Sequence, residues 1–103
     1  FNELIPNKFI LFPAYPNPFN SATTIQFSVG MGTFVSSDSR HVNDTSIQVY
    51  DITGELVETL VNENLASGNY TLQWNAASFS SGVYFLLMEN GEEMVSQKVV
   101  LIK

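Results

Sequence analysis

Through most of the chain, apolar residues recur at every second position. In "TTIQFSV", residues 23–29, Ile25, Phe27 and Val29 alternate with Thr24, Gln26 and Ser28, the period of a half-buried strand. "SIQVYDI", residues 46–52, puts Ile47 and Val49 on one face, with Gln48 and Tyr50 on the other. Thr53-Gly54 then predicts a tight turn into "ELVETLV", so residues 45–61 read as a hairpin. "NYTLQWN", residues 69–75, aligns Tyr70, Leu72 and Trp74 opposite Thr71, Gln73 and Asn75. Ser81-Gly82 opens "VYFLLME", Asn90-Gly91 is a strong hairpin signal, and "EMVSQKVVLIK" supplies the last strand. With no amphipathic helix, this pattern predicts an all-β chain: an Ig-like antiparallel β-sandwich of about seven strands.

Two stretches break the rhythm. "FPAYPNPFN", residues 12–20, sets three prolines among aromatic residues. Proline lacks a backbone donor and fixes φ, which predicts a rigid segment docked without joining a ladder. Pro13, Pro16 and Pro18 stiffen it, Asn17 and Asn20 supply turn chemistry, and Tyr15 and Phe19 are expected to pin it to the sandwich. Its role is boundary architecture, so mutating it should first of all lower stability. Residues 30–45, "GMGTFVSSDSRHVNDT" in full, are polar and longer than a hairpin needs, so they read as a long exposed loop with a short strand over residues 33–35. The whole reads as one domain, residues 1–103, with residues 1–14 as linker and lead-in.

The C-terminal hairpin carries a surplus. A sandwich strand needs one apolar face, yet Val83, Phe85 and Leu87 form one and Tyr84, Leu86 and Met88 another. In the final strand Val95, Val99 and Leu101 likewise oppose Met94, Val100 and Ile102. Either the proline-rich segment, with Phe9, Leu11, Tyr15 and Phe19, lies over part of the second face, or that face is left for a partner.

Composition narrows the function. Ten acids against four bases give a net charge of −6, and Lys8, Arg40, Lys98 and Lys103 are too scattered for a nucleic-acid stripe. The longest apolar run, residues 83–88, is too short to span a bilayer, and no signal-peptide pattern opens the chain. Because it begins at Phe1, it reads as a piece of a longer protein. There is no cysteine for a disulfide or a zinc-thiolate site. His41 stands near Asp38, Arg40 and Asp44, but Asp38, Asn43 and Asp44 lack the spacing of a calcium loop and nothing orients the imidazole for catalysis. Glu92 and Glu93 follow a turn and alternate in face, so they read as solvated charges. Neither catalytic residues, a metal site nor a cofactor is predicted. For a carbohydrate-binding module, Tyr50 is the better exposed-aromatic candidate, because Trp74 shares a core stripe. Asn43-Asp44-Thr45 and Asn69-Tyr70-Thr71 match the glycosylation triplet, a pattern frequent by chance.

"YPNPFN", "TTIQF", "VYDITGELVETLV", "GNYTLQWN" and "SGVYFLLMENGEEMVSQKVVLIK" occur in that order. In this the chain resembles the type A C-terminal sorting domains of the type IX (Por) secretion system, which are similar to the Ig-like domain of flagellar hook-capping proteins. The likeness covers residues 15–103; it departs in the expanded stretch 30–45 and at Ser21, where the family commonly has proline. The resemblance implies the last domain of an exported cargo protein of a Gram-negative bacterium, secreted or held at the cell surface. Its implied partners are the outer-membrane translocon, a sortase that commonly removes the domain, and the upstream cargo. The matching positions are Gly82, Val83 and Tyr84 of "SGVY", Lys98, Val99, Val100, Leu101, Ile102 and Lys103 at the end, and Tyr15, Pro16, Asn17, Pro18, Phe19 and Asn20 at the start. From the residues themselves, Tyr84 is assigned to the surplus face, and residues 98–103 to a run able to add to a partner's sheet edge. The competing readings are an accessory carbohydrate-binding module of an extracellular hydrolase and a plain spacer.

Overall fold

The structure, a computed structural model, describes residues 9–30, 34–35, 40–41, 44–91 and 93–103. The alternating segments become strands close to where the pattern put them: β2 (Ala22–Val29), β5 (Asp44–Asp51), β6 (Leu56–Asn64), β7 (Gly68–Asn75), β8 (Gly82–Asn90) and β9 (Glu93–Leu101). A two-residue strand, β1 (Ile10–Leu11), precedes them, and β3 (Phe34–Val35) pairs with β4 (Arg40–His41) in a separate ribbon. The two main sheets, β1-β2-β7 and β6-β5-β8-β9, are antiparallel and pack as a sandwich of seven strands.

Each sheet turns its fully apolar stripe inward. β2 contributes Ile25, Phe27 and Val29, β5 Ile47 and Val49, β8 Leu86 and Met88, and β9 Val99 and Leu101, all essentially without exposure. Trp74 lies at the centre of one end. Its ring centroid is 5.5 Å from both Phe19 and Tyr84 and 5.8 Å from Phe79, and its indole N–H donates to Glu58 Oε1 at 2.9 Å. The Trp74 stripe therefore belongs to the core as its period predicts, with Tyr70 and Leu72 half-buried toward the sheet's rim.

Tyr84 is also inside, which corrects its assignment to the surplus face. Its hydroxyl donates to Ser80 O at 2.7 Å, so the phenol buries its ring on Trp74 and still satisfies its polar end. Val83, Phe85 and Leu87 are thus the outward set on β8. At the C-terminal turn the ladder closes on Asn90↔Glu93, so Gly91, with φ 61°, is the first loop position. Within the 30–45 stretch, β5 already begins at Asp44 and Thr45 is buried.

The turn from β5 to β6 is organised by Asp51. Its Oδ1 accepts from the Thr53 hydroxyl at 2.6 Å, from Thr53 N at 2.9 Å and from Glu55 N at 3.0 Å, while Gly54 takes φ 90°. The Thr53 hydroxyl, then the Glu55 N–H, hold its carboxyl below the ordinary value of 3.8. A carboxyl whose pKa is lowered by folding stabilises the fold above its unfolded value and loses that contribution as pH falls through the folded one. Stability should therefore decline below pH 3.8, with a shallower acid limb in Asp51→Asn. Urea midpoints of both proteins between neutral pH and pH 3 test this; superimposable acid limbs would refute it.

Candidate recognition surface

The family-like positions fall into an inward and an outward group. Tyr84, Val99 and Leu101 are buried, with Val99 directly opposite Tyr84 and Leu101 opposite Gly82. Val83 and Val100 face each other on the outer side, and Lys98 stands opposite Phe85 on that same side. The outer face extends onto neighbouring strands, because Tyr50 pairs with both Phe85 and Leu56 and Leu87 pairs with Gln48. Residues directly across a ladder share a face. Leu56 is 46% exposed and Phe85 37%, and Tyr50, Val83, Leu87 and Val100 are half-buried, so the four-stranded sheet presents a contiguous apolar outer surface with Lys98 upon it. Tyr50 is part of this surface, its hydroxyl donating to Gln48 Oε1 at 3.2 Å.

The proline-rich segment does not cover that surface. It laces the seam between the two sheets and, as expected, forms no strand of either, but it bonds both through isolated bridges at Tyr15 and Phe19. Prolines remove donors only at 13, 16 and 18, leaving Phe12, Tyr15 and Phe19 free to pair. Phe12 N donates to Gln26 O, Tyr15 exchanges two bonds with Thr24, and Phe19 bonds β9. Tyr15 shares the outer face with Thr24 and is 54% exposed, so it does not pin the segment; Phe19, 2% exposed against Trp74, does. Pro16 O accepts from Thr23 Oγ1 at 2.7 Å, and the Tyr15–Pro16 and Asn17–Pro18 bonds are both cis. Pro18 and Asn20 are exposed. Ser21 then bends the chain into β2 with φ 73°, a value proline cannot adopt.

The edge of β9 is closed by the same segment. The Asn17 side chain donates to Lys98 O at 3.1 Å and accepts from Val100 N at 3.0 Å, acting as a stand-in peptide group. Phe19 continues the pairing, donating to Val100 O at 2.9 Å and accepting from Ile102 N at 2.8 Å. Gln97 returns the contact, accepting from Ala14 N at 2.6 Å and donating to Phe12 O at 2.9 Å. The strand end is held as well. Lys103 Nζ donates to Ala77 O and Phe79 O at 2.6 and 2.7 Å, and its backbone N–H to Ser81 Oγ at 2.9 Å. Residues 98–102 thus offer a partner a face and not a free edge.

That this segment denies an edge to other strands is what its prolines suggest, but the clasp made by the Asn17 side chain, expected only to supply turn chemistry, escaped the sequence reading, although an asparagine between two prolines was the available signal. Asn17 is flanked by residues without donors, so its side chain is the natural group to complete the pairing. Of the other candidate groups, Lys8, Asp38, Asn43, Glu92 and the side chains of Arg40 and His41 lie outside the described residues, and Asp44 is exposed at the start of β5. Among the described residues, no three acidic, histidine or cysteine side chains gather as a metal site would require.

In comparisons with known proteins, the family described as "Secretion system C-terminal sorting domain" matches residues 13–103. Neither the curated proteins nor the solved structures give a match. The matched range begins inside the proline-rich segment and runs through the last strand, so it spans both the clasp and the apolar outer face. The chain belongs to the secretion system C-terminal sorting domains, the type IX family its motifs resemble.

Proposed function

We propose that this domain is a non-catalytic targeting module that directs an upstream cargo across the outer membrane by the type IX route, and that the machinery reads the outward face of β8 and β9. The observation that carries this is the apolar surface around Val83, Phe85 and Val100, with Lys98 upon it, which the proline-rich segment leaves bare among the described residues, on the C-terminal hairpin of a sorting domain. Well-packed soluble domains rarely leave a sheet face so apolar without a partner for it. The translocon is the partner, and release by a sortase follows export. The product is secreted or retained at the cell surface of a Gram-negative host.

The test is a reporter fused ahead of residue 1 in a type IX-competent host, carrying Phe85→Thr with Val100→Thr. Both side chains point away from the core, so the fold should persist by circular dichroism while export falls about tenfold, the loss expected for central contacts of an interface. Unchanged export from a folded double variant rejects the face.

A further inference from the structure

The charges of this domain are laid out unevenly. Residues 9–37 and 64–88 contain no Asp, Glu, Lys, Arg or His, although the chain carries a net charge of −6. Strands β1, β2 and β7 all fall within these stretches, so the three-stranded sheet has no charged side chain, whereas β5, β6, β8 and β9 each carry acid. The outer face of the uncharged sheet is built in two rungs. Tyr15 lies opposite Thr24, which lies opposite Gln73. Phe12 N donates to Gln26 O at 2.9 Å, and Gln26 lies opposite Thr71. Phe12 follows Ile10, itself opposite Ser28, by two residues, so alternation returns it to the outer face, where it is 39% exposed. Each rung thus runs from an exposed aromatic ring to a hydroxyl and an amide, and the rungs are about 7 Å apart along β2.

Hydroxyls and primary amides both donate and accept. Among the described residues, the side chains of Thr24, Gln26, Thr71 and Gln73 make no hydrogen bond, so these groups are free for a ligand. A face without cations gives a polyanion no counterions to release. One made of hydroxyls and amides lacks the apolar centre of a protein interface. A neutral sugar chain fits both halves: its C–H faces stack on aromatic rings, and its hydroxyls replace water on the polar groups. We propose that the outer face of the β1-β2-β7 sheet binds a free, uncharged β-1,4-linked glucan running along the strands. Such a chain is a flat ribbon with apolar ring faces and hydroxyls along both edges. Its rings lie over Phe12 and Tyr15, and one hydroxyl edge meets Thr24, Gln26, Thr71 and Gln73. The site is on the opposite side of the sandwich from Val83, Phe85 and Val100, so it stands apart from the export reading.

Native gel electrophoresis of the chain through hydroxyethyl cellulose tests this. The wild type should be retarded as polymer concentration rises, whereas dextran, an α-linked neutral polymer of another shape, should leave its mobility unchanged. Phe12→Ala with Tyr15→Ala should weaken the association about tenfold, the effect of losing two ring contacts. Thr71→Ala with Gln73→Ala should weaken it too at an unchanged melting temperature, since both side chains are exposed on β7, far from the clasp at Asn17. Tyr50→Ala, on the other sheet, should bind as the wild type does. Wild-type mobility indifferent to hydroxyethyl cellulose overturns the proposal. So does equal retardation by dextran, a Thr71→Ala, Gln73→Ala protein retarded like the wild type, or retardation that Tyr50→Ala abolishes. A doubling of mass in light scattering that the β7 pair of substitutions removes would assign the face to a second copy and overturn it as well.

Discussion

Trp74→Ala should leave the domain largely unfolded at ambient temperature. The indole is fully buried and meets three aromatic rings contributed by the proline-rich segment, the loop before β8 and β8 itself. Truncating a buried tryptophan removes about 3–5 kcal/mol. A further 1–3 kcal/mol follows from leaving a half-buried acceptor, Glu58 Oε1, without its donor. Domains of this size are stable by only about 5–15 kcal/mol, and this one has no disulfide in reserve. Trp74→Phe is the instructive control: it keeps most ring contacts and loses the N–H bond, so it should remain folded with a lower urea midpoint. A Trp74→Ala protein that melts cooperatively near the wild-type temperature would contradict this account of the core.

Removing residues 99–103 should abolish the cooperative fold. Val99 and Leu101 are buried to 0% and 1% exposure, and burying such side chains contributes about 1.5–3 kcal/mol each. The deletion also takes away Val100 and Ile102, on which Phe19 docks, and Lys103, which ties down the loop at Ala77, Phe79 and Ser81. Near-ultraviolet circular dichroism and thermal melting of the truncated chain measure this directly. A truncated domain with native-like melting would show that the last strand is dispensable to the core. Export lost on truncation is therefore ambiguous, since unfolding and loss of a recognised surface coincide. Phe85→Thr with Val100→Thr separates them, because those side chains lie on the outer face.

The particular residues show why some features were legible beforehand. Strands β2, β5, β7, β8 and β9 were readable because a sheet with one wet face imposes period two on its side chains, as Ile25, Phe27 and Val29 display. β8 was readable as a strand but ambiguous in facing. With Tyr84, Leu86 and Met88 as apolar as Val83, Phe85 and Leu87, the alternation carries no sign, and only the ring of Trp74 across the core decides which set enters. The phenol oxygen of Tyr84, apparently a reason to stay outside, is satisfied by a carbonyl four residues upstream.

By itself, then, the order of residues determined an all-strand sandwich, its strand positions, a core tryptophan and an excess of apolar surface on the final hairpin. These follow from local geometry: alternation along a pleated strand, and the φ demands of glycine and proline. Tertiary structure decided what lies over what. The proline-rich segment runs along the seam and leaves the outer face bare, and Asn17 imitates a peptide group against Val100, 83 residues away. No periodicity reports a contact of that span, because its partners meet only after both sheets have closed around Trp74.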